Sequence, residues 1–214
     1  MKKIKLLILF IIGLQLSSHS QYSAGGGYAF YQSFNSDFTW QGIQAFVEIP
    51  NSETNTFYGR VSFMFPNRFT DVTNVTAFEF ATSPQQLEVD RVSKSSFFSV
   101  DGGNRTYFLN TYDAGIAPYF TTHGRGIFGR YSESYSDFDE SAYQAPFAPV
   151  GSTAVLIGFG VNVGVKYQLP IRGAITFDLG IEYVLALLDP IGYSQNEVSS
   201  ISFFANLSYR FDWY

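Results

Sequence analysis

Between residues 158 and 185 the chain reads GFGVNVGVKYQLPIRGAITFDLGIEYVL, and in two runs of it every second residue is apolar. Phe159, Val161, Val163, Val165 and Tyr167 alternate with Gly158, Gly160, Asn162, Gly164 and Lys166. Ile175, Phe177, Leu179, Ile181 and Tyr183 alternate with Thr176, Asp178, Gly180 and Glu182. Successive side chains leave a strand on opposite faces, so each run predicts a strand with one oily and one polar face. SISFFANLSYRFDWY near the C-terminus repeats the pattern, with Ile201, Phe203, Ala205, Leu207, Tyr209, Phe211 and Trp213 on the apolar face. Each run lasts about ten residues, the length a tilted strand needs to cross a bilayer, whereas a soluble strand usually has about five or six.

The face compositions say which side meets water. A soluble sheet would show Lys, Glu and Thr outward, yet the polar faces here are heavy in glycine, which weakens an exposed strand. Glycine suits the inside of a narrow barrel, where large and small side chains must interlock. Tyr167, Tyr183, Tyr209 and Trp213 stand near the ends of the apolar faces. That is where Tyr and Trp favour a bilayer interface. The apolar faces are therefore assigned to lipid and the polar faces to a lumen.

Walking the same parity back along the chain predicts an all-β, antiparallel up-and-down transmembrane β-barrel of about eight strands. They fall at 22–34, 42–49, 56–65, 95–111, 115–131, 154–167, 173–185 and 201–213. A bulge or hairpin is expected at DGGN, tight turns at YDAG and QLPIRG, and long outer loops at 132–152 and 186–199. The stretch 66–94, with the strand-like VTAFEFAT, would raise the count to ten if it held a further hairpin.

Composition then narrows the setting. MKKIKLLILFIIGLQLSSHSQ opens with Lys2, Lys3 and Lys5, an apolar run from Leu6 to Leu14, and Ser18 and Ser20 bracketing His19. The run is too short to span a bilayer comfortably, so residues 1–20 read as a secretory signal peptide and 21–214 as the barrel domain. Without that leader the chain carries 10 Lys and Arg (13 less three) against 18 Asp and Glu. That balance argues against a nucleic-acid partner. There is no cysteine, hence no disulfide framework, no thiol chemistry and no cysteine-ligated metal.

The leader, the alternating strands and the closing SYRFDWY resemble small outer-membrane β-barrel proteins of the OmpA/OmpX/OmpW type. GFGVNVGVKYQLP is similar to strands in barrel-domain proteins of Bacteroidota. The resemblance implies a cell outer-membrane location, with lipid and lipopolysaccharide as neighbours. It brings no functional motif. Such chains usually end on a lipid-facing aromatic residue; here Trp213 holds that parity and Tyr214 follows it.

Three sets of residues are candidates for function. Glu48, Arg60, Lys166, Asp178, Glu182, Arg210 and Asp212 face the lumen by parity. They make either a narrow passage for small solutes or a plugged core, and an eight-stranded barrel is just filled by side chains, which favours the core. His123, in YFTTHGRGIFGR, with Ser132, Glu133 and Ser134 farther on, raises a lipid A-modifying enzyme. Nothing sets a nucleophile within reach of that base, and the His-x-Ser-Asn arrangement of barrel deacylases is replaced by His123-Gly124-Arg125, so the histidine is read as incidental. SESYSDFDESAYQAPF holds Glu133, Asp137, Asp139 and Glu140 in no calcium-loop spacing. It also holds Tyr135, Phe138, Tyr143 and Phe147 beside Tyr131, a composition suited to recognition. The expectation is a non-enzymatic barrel without catalytic, cofactor or metal residues. It displays these loops to another envelope protein or a glycan, or serves as an accessory subunit of an envelope complex.

Overall fold

The computed structural model describes residues 22–34, 39–109, 115–146, 151–170, 173–188 and 201–213, so the leader, most of the YDAG turn, Phe147 and the 189–200 loop lie outside the described residues. Nine strands follow in order: β1 (Tyr22–Ser33), β2 (Thr39–Pro50), β3 (Asn55–Ala77), β4 (Gln86–Tyr107), β5 (Ile116–Tyr135), β6 (Tyr143–Gln144), β7 (Gly151–Gln168), β8 (Ala174–Leu188) and β9 (Ile201–Trp213). Eight of them close an antiparallel barrel, in the order β2-β1-β9-β8-β7-β5-β4-β3 with β3 returning to β2. β6 is a two-residue strand outside the barrel wall, paired with Thr76 and Ala77 of β3. The described residues contain no helix long and apolar enough to cross a membrane.

The wall follows the alternation. Phe159, Val163, Ile181, Tyr183 and Leu207 are about half exposed, and their neighbours Asn162, Asp178, Glu182 and Arg210 are buried. A wall with this many exposed apolar side chains has its oily surface on the outside, and closure leaves no unpaired strand edge within it; both are what hydrocarbon demands. Inside, glycines make room for rings. Gly180 lies against the Phe204 ring and Gly164 against the Tyr119 ring, so close that neither could carry a Cβ without displacing its neighbour.

Three expectations need correction. DGGN is neither a bulge nor a hairpin: residues 101–104 run inside β4 in unbroken register with β3 and β5. The register shift lies instead between Met64 and Asn67, where Pro66 has no N–H to give the ladder. Nor does the stretch 66–94 add strands to the wall. Residues 67–77 continue β3, residues 86–94 continue β4, and VTAFEFAT is the end of one strand and its turn. The count is therefore eight. Finally, the outer loop begins later than 132, because β5 runs on to Tyr135, which pairs with Arg91 of the lengthened β4.

The result is a barrel with one flat and one raised end. At the flat end β2 turns into β3 through Asn51–Thr54, where the amides of Asn51 and Ser52 both donate to the Asn55 carbonyl. At the other end the prolonged β3, β4 and β5 stand clear of the wall, and β6 folds back onto β3 as a fourth strand.

Candidate functional site: a charged lumen, an apolar seal and a raised extension

Charged side chains crowd the lumen in two layers. In the layer nearer the flat end, Glu48 is fully buried and accepts from Thr56 Oγ1 at 2.6 Å and the Tyr107 hydroxyl at 2.8 Å. It also accepts from Arg105 Nη1 at 3.1 Å and Arg210 Nη1 at 3.3 Å. Arg210 Nε lies 2.8 Å from Asp212, which accepts from Ser23 and Gln168. Asp178 accepts from the Tyr119 hydroxyl at 2.7 Å and Asn162 Nδ2 at 2.9 Å, and Arg105 Nη2 stands 3.6 Å from it. Lys166 Nζ lies 5.8 Å from the centroid of the Tyr107 ring.

The second layer sits above it. Arg60 grips Asp101, with Nε 3.0 Å from both carboxylate oxygens and Nη2 2.8 Å from one. Arg125 reaches Asp101 at 3.6 Å and Glu182 at 3.3 Å, and Glu182 meets His123 Nε2 at 3.1 Å. Among the described residues the buried lumen thus holds the acids Glu48, Asp101, Asp178, Glu182 and Asp212, balanced by the bases Arg60, Arg105, Arg125, Lys166 and Arg210. Charges withdrawn from water need such pairing, because removing either partner leaves the other stranded.

Toward the raised end the lumen turns apolar. Tyr31, Trp40 and Phe97 pack edge to face with centroids 5.1 to 5.9 Å apart. Met64, Ile127, Leu156, Val184 and Phe204 complete the cluster, all buried. Trp40 Nε1 is satisfied by Ser95 Oγ at 3.3 Å. The charged layers thus lie below and the cluster of rings above.

All seven lumen residues singled out from sequence lie in this network: Arg60 and Glu182 in the upper layer, the other five in the lower. Sequence reasoning missed Asp101, Arg105 and Arg125, because the supposed break at DGGN hid the parity of β4, and Pro118 and the glycines hid that of β5. His123, read as incidental, is buried and bonded to Glu182, with its ring 5.2 Å from Phe204. Ser132 and Ser134 are not brought to it; they pair with Lys94 and Val92 in the raised extension.

Three of the four loop aromatics pack together. Tyr143 is buried against Val75 and Val89, with Tyr135 and Phe138 half-buried beside them, forming a small second core above the barrel. Phe147 lies outside the described residues. Of the carboxylates, Asp139 accepts from the amide and hydroxyl of Ser141, which hold it below the ordinary aspartate range. Glu133 accepts from the hydroxyls of Tyr131 and Tyr135. Asp71 and Arg91 form a paired fork at 2.7 and 3.0 Å that lowers the pKa of the acid and raises that of the base.

No protein-family model matches the chain, and no curated protein matches it in sequence. Solved structures do. Neisserial surface protein A aligns with 91% of this chain and 97% of its own at 13% identity, with a TM-score of 0.51. A major outer membrane protein of Thermus thermophilus aligns with 91% of this chain and 99% of its own at 13% identity and a TM-score of 0.48. Ail, the attachment invasion locus protein of Yersinia pestis, solved with the heparin analogue sucrose octasulfate, aligns with 90% of this chain and 99% of its own at 11% identity and 0.47. Closed, eight-stranded and oily on the outside, the chain has the fold of a small outer-membrane β-barrel.

Proposed function

We propose that the protein is an integral outer-membrane barrel without enzymatic activity, exported by a signal peptide at residues 1–20, whose lumen is structural and whose working surface is the raised extension. One observation carries this reading: the lumen holds as many buried acids as Lys and Arg beneath a cluster of buried rings, whereas β3, β4 and β5 run to 23, 22 and 20 residues. Strand length beyond the bilayer does nothing for membrane stability, and loops and extensions on a rigid scaffold are where recognition concentrates. The extension is a platform for another envelope protein or a glycan, set among lipid and lipopolysaccharide.

The test is a trimmed barrel. Asn67 is the Cα partner of Ser95, and Ser132 that of Gly151, so an Asn-Gly turn can join each pair in place of the residues between. The trimmed protein is expected to fold, to run faster on gels unheated than boiled, and to lose whatever copurifies with the intact chain in mild detergent. Retention of the same partners would overturn the platform reading. Stable ion conductance by the intact chain in planar bilayers would favour a pore instead, and altered lipid A acyl chains in a deletion strain would favour an enzyme.

A further inference from the structure

Beside the second core the extension opens into a cleft of about 460 Å³, with Phe78, Tyr135, Phe138, Tyr143, Asp137 and Glu140 among its lining residues. Asp137 and Glu140 are exposed, and among the described residues neither makes a hydrogen bond or ion pair, unlike Glu133, Asp139 and Asp71 around them. The cleft belongs to an acidic neighbourhood. Residues 67–94 and 132–146 carry Asp71, Glu79, Glu88, Asp90, Glu133, Asp137, Asp139 and Glu140 against only Arg68, Arg91 and Lys94.

We infer that this cleft binds a guanidinium or ammonium side chain presented by a polypeptide. The inference rests on the platform reading and names the chemistry of its partner. Aromatic faces attract a cation through their quadrupole, and a carboxylate in the lining adds an ion pair; the two together discriminate a cation from a neutral group of the same shape. An anionic partner would meet repulsion from the same surface. A polypeptide is the fitting source because the apolar contact continues outside the cleft. Phe80, two residues on from Phe78 in the cleft wall, is 100% exposed. Both stand on a turn that Gln85 Nε2 holds by donating to the carbonyls of Glu79, Phe80 and Thr82. A rigid turn spends little conformational entropy on binding, and a ring on it can seat in a pocket of the partner. A free polyamine would use the cleft and leave Phe80 untouched.

The experiment uses the full barrel in lipid nanodiscs and a fluorescein-labelled probe, Gly-Arg-Phe-Gly-Arg-Phe-Gly-amide, read by fluorescence anisotropy beside its citrulline counterpart and spermidine. The arginine probe is expected to bind about tenfold more tightly than the citrulline probe, and the double variant Asp137→Asn/Glu140→Gln to lose about tenfold of that affinity. Phe80→Ala, on the turn and outside the cleft wall, is expected to weaken the arginine probe and leave spermidine unchanged. Both carboxylates are exposed, so heat-modifiable migration checks that the variant is folded. Equal binding of the arginine and citrulline probes, or an unaffected double variant, overturns the cation site. Spermidine binding as tightly as the arginine probe overturns the polypeptide occupant. The trimmed barrel keeps the two proposals apart: loss of copurifying partners on trimming, with no preference for the arginine probe, leaves the platform standing and removes the cleft.

Discussion

Removing Glu48 tests whether the lumen is as dry and as tightly paired as its geometry implies. Its carboxylate gathers two hydroxyl and two guanidinium donors at 2.6 to 3.3 Å, and its side chain has no exposure. Glu48→Ala strands those donors. Breaking a buried ion pair from one side costs about 3–5 kcal/mol, because the partner's charge stays buried without compensation. Here each arginine keeps one other acid, Asp178 at 3.6 Å from Arg105 and Asp212 at 2.8 Å from Arg210, which pulls the figure down. The hydroxyls of Thr56 and Tyr107 lose their acceptor at about 1–3 kcal/mol for each group left unsatisfied, which pulls it back up. The expected loss is therefore about 3–5 kcal/mol, with the double variant Glu48→Ala/Arg105→Met recovering part of it. The assay is reversible urea unfolding of the barrel in lipid vesicles, followed by the fluorescence of Trp40 in the seal and by gel mobility. A loss under about 1 kcal/mol with an unchanged denaturant slope would refute the reasoning, because it would mean that water reaches Glu48 and that the lumen is wet.

Three further outcomes are expected. Val163→Arg, on the outer face of β7, should cost about 2–4 kcal/mol in vesicles, against about 1 kcal/mol for the inward Asn162→Ser, which forfeits only its bond to Asp178; equal costs would mean that the faces are assigned the wrong way round. Trp40→Ala should cost about 3–5 kcal/mol through the cavity it opens yet produce no ionic steps in planar bilayers, since the buried charged layers lie beneath it; stable steps would show the rings to be the sole barrier. Asp71 is held below the ordinary aspartate value of 3.8 by Arg91, so the pair supports the extension at neutral pH and its support fades as pH falls through that depressed value. With side chains about a third exposed, the effect should stay under about 1 kcal/mol, read as lower amide protection in residues 67–75 at acid pH, which Asp71→Asn should reproduce at neutral pH.

Much of the barrel was legible because a membrane-spanning strand must alternate. Ile201–Trp213 came out with the boundaries that the residues imply, since no glycine or proline interrupts its parity. Legibility failed where the physics is not local. DGGN carries turn residues, yet it is held straight because Gly59 and Gly124 on the neighbouring strands accept Gly102 opposite them, and a single sequence does not show that neighbour. The hairpin 67–95 could not be told from an extra pair of wall strands, because alternation reports faces and is silent on height above the bilayer. Three of the ten charges in the network, Asp101, Arg105 and Arg125, were hidden as well, by the turn-like DGGN in β4 and by Pro118 and the glycines in β5. Asp101 and Arg125 gain meaning only when β4 and β5 are in register with Arg60 and Glu182. The loop aromatics were visible as a composition, but that Tyr135, Phe138 and Tyr143 both pack on the second core and line a cleft depends on β6 returning to β3.

The seam of the barrel has a consequence for how the molecule is made. β1 pairs with β9 along its whole length, from Tyr22 opposite Trp213 to Ser33 opposite Ser202, so the pair that shuts the ring joins residues as far as 191 positions apart (213 − 22). Chains dominated by such distant pairings are slow to fold, because the cost of closing the long loop comes before any reward. Until β9 arrives, β1 and β8 each offer an open ladder beside a wall of bare hydrocarbon, the two features that most invite aggregation in water. A chain of this design cannot ripen piecemeal as it emerges. It has to be kept from collapsing until its last strand is available, and the bilayer is the first solvent in which the finished ring is at rest.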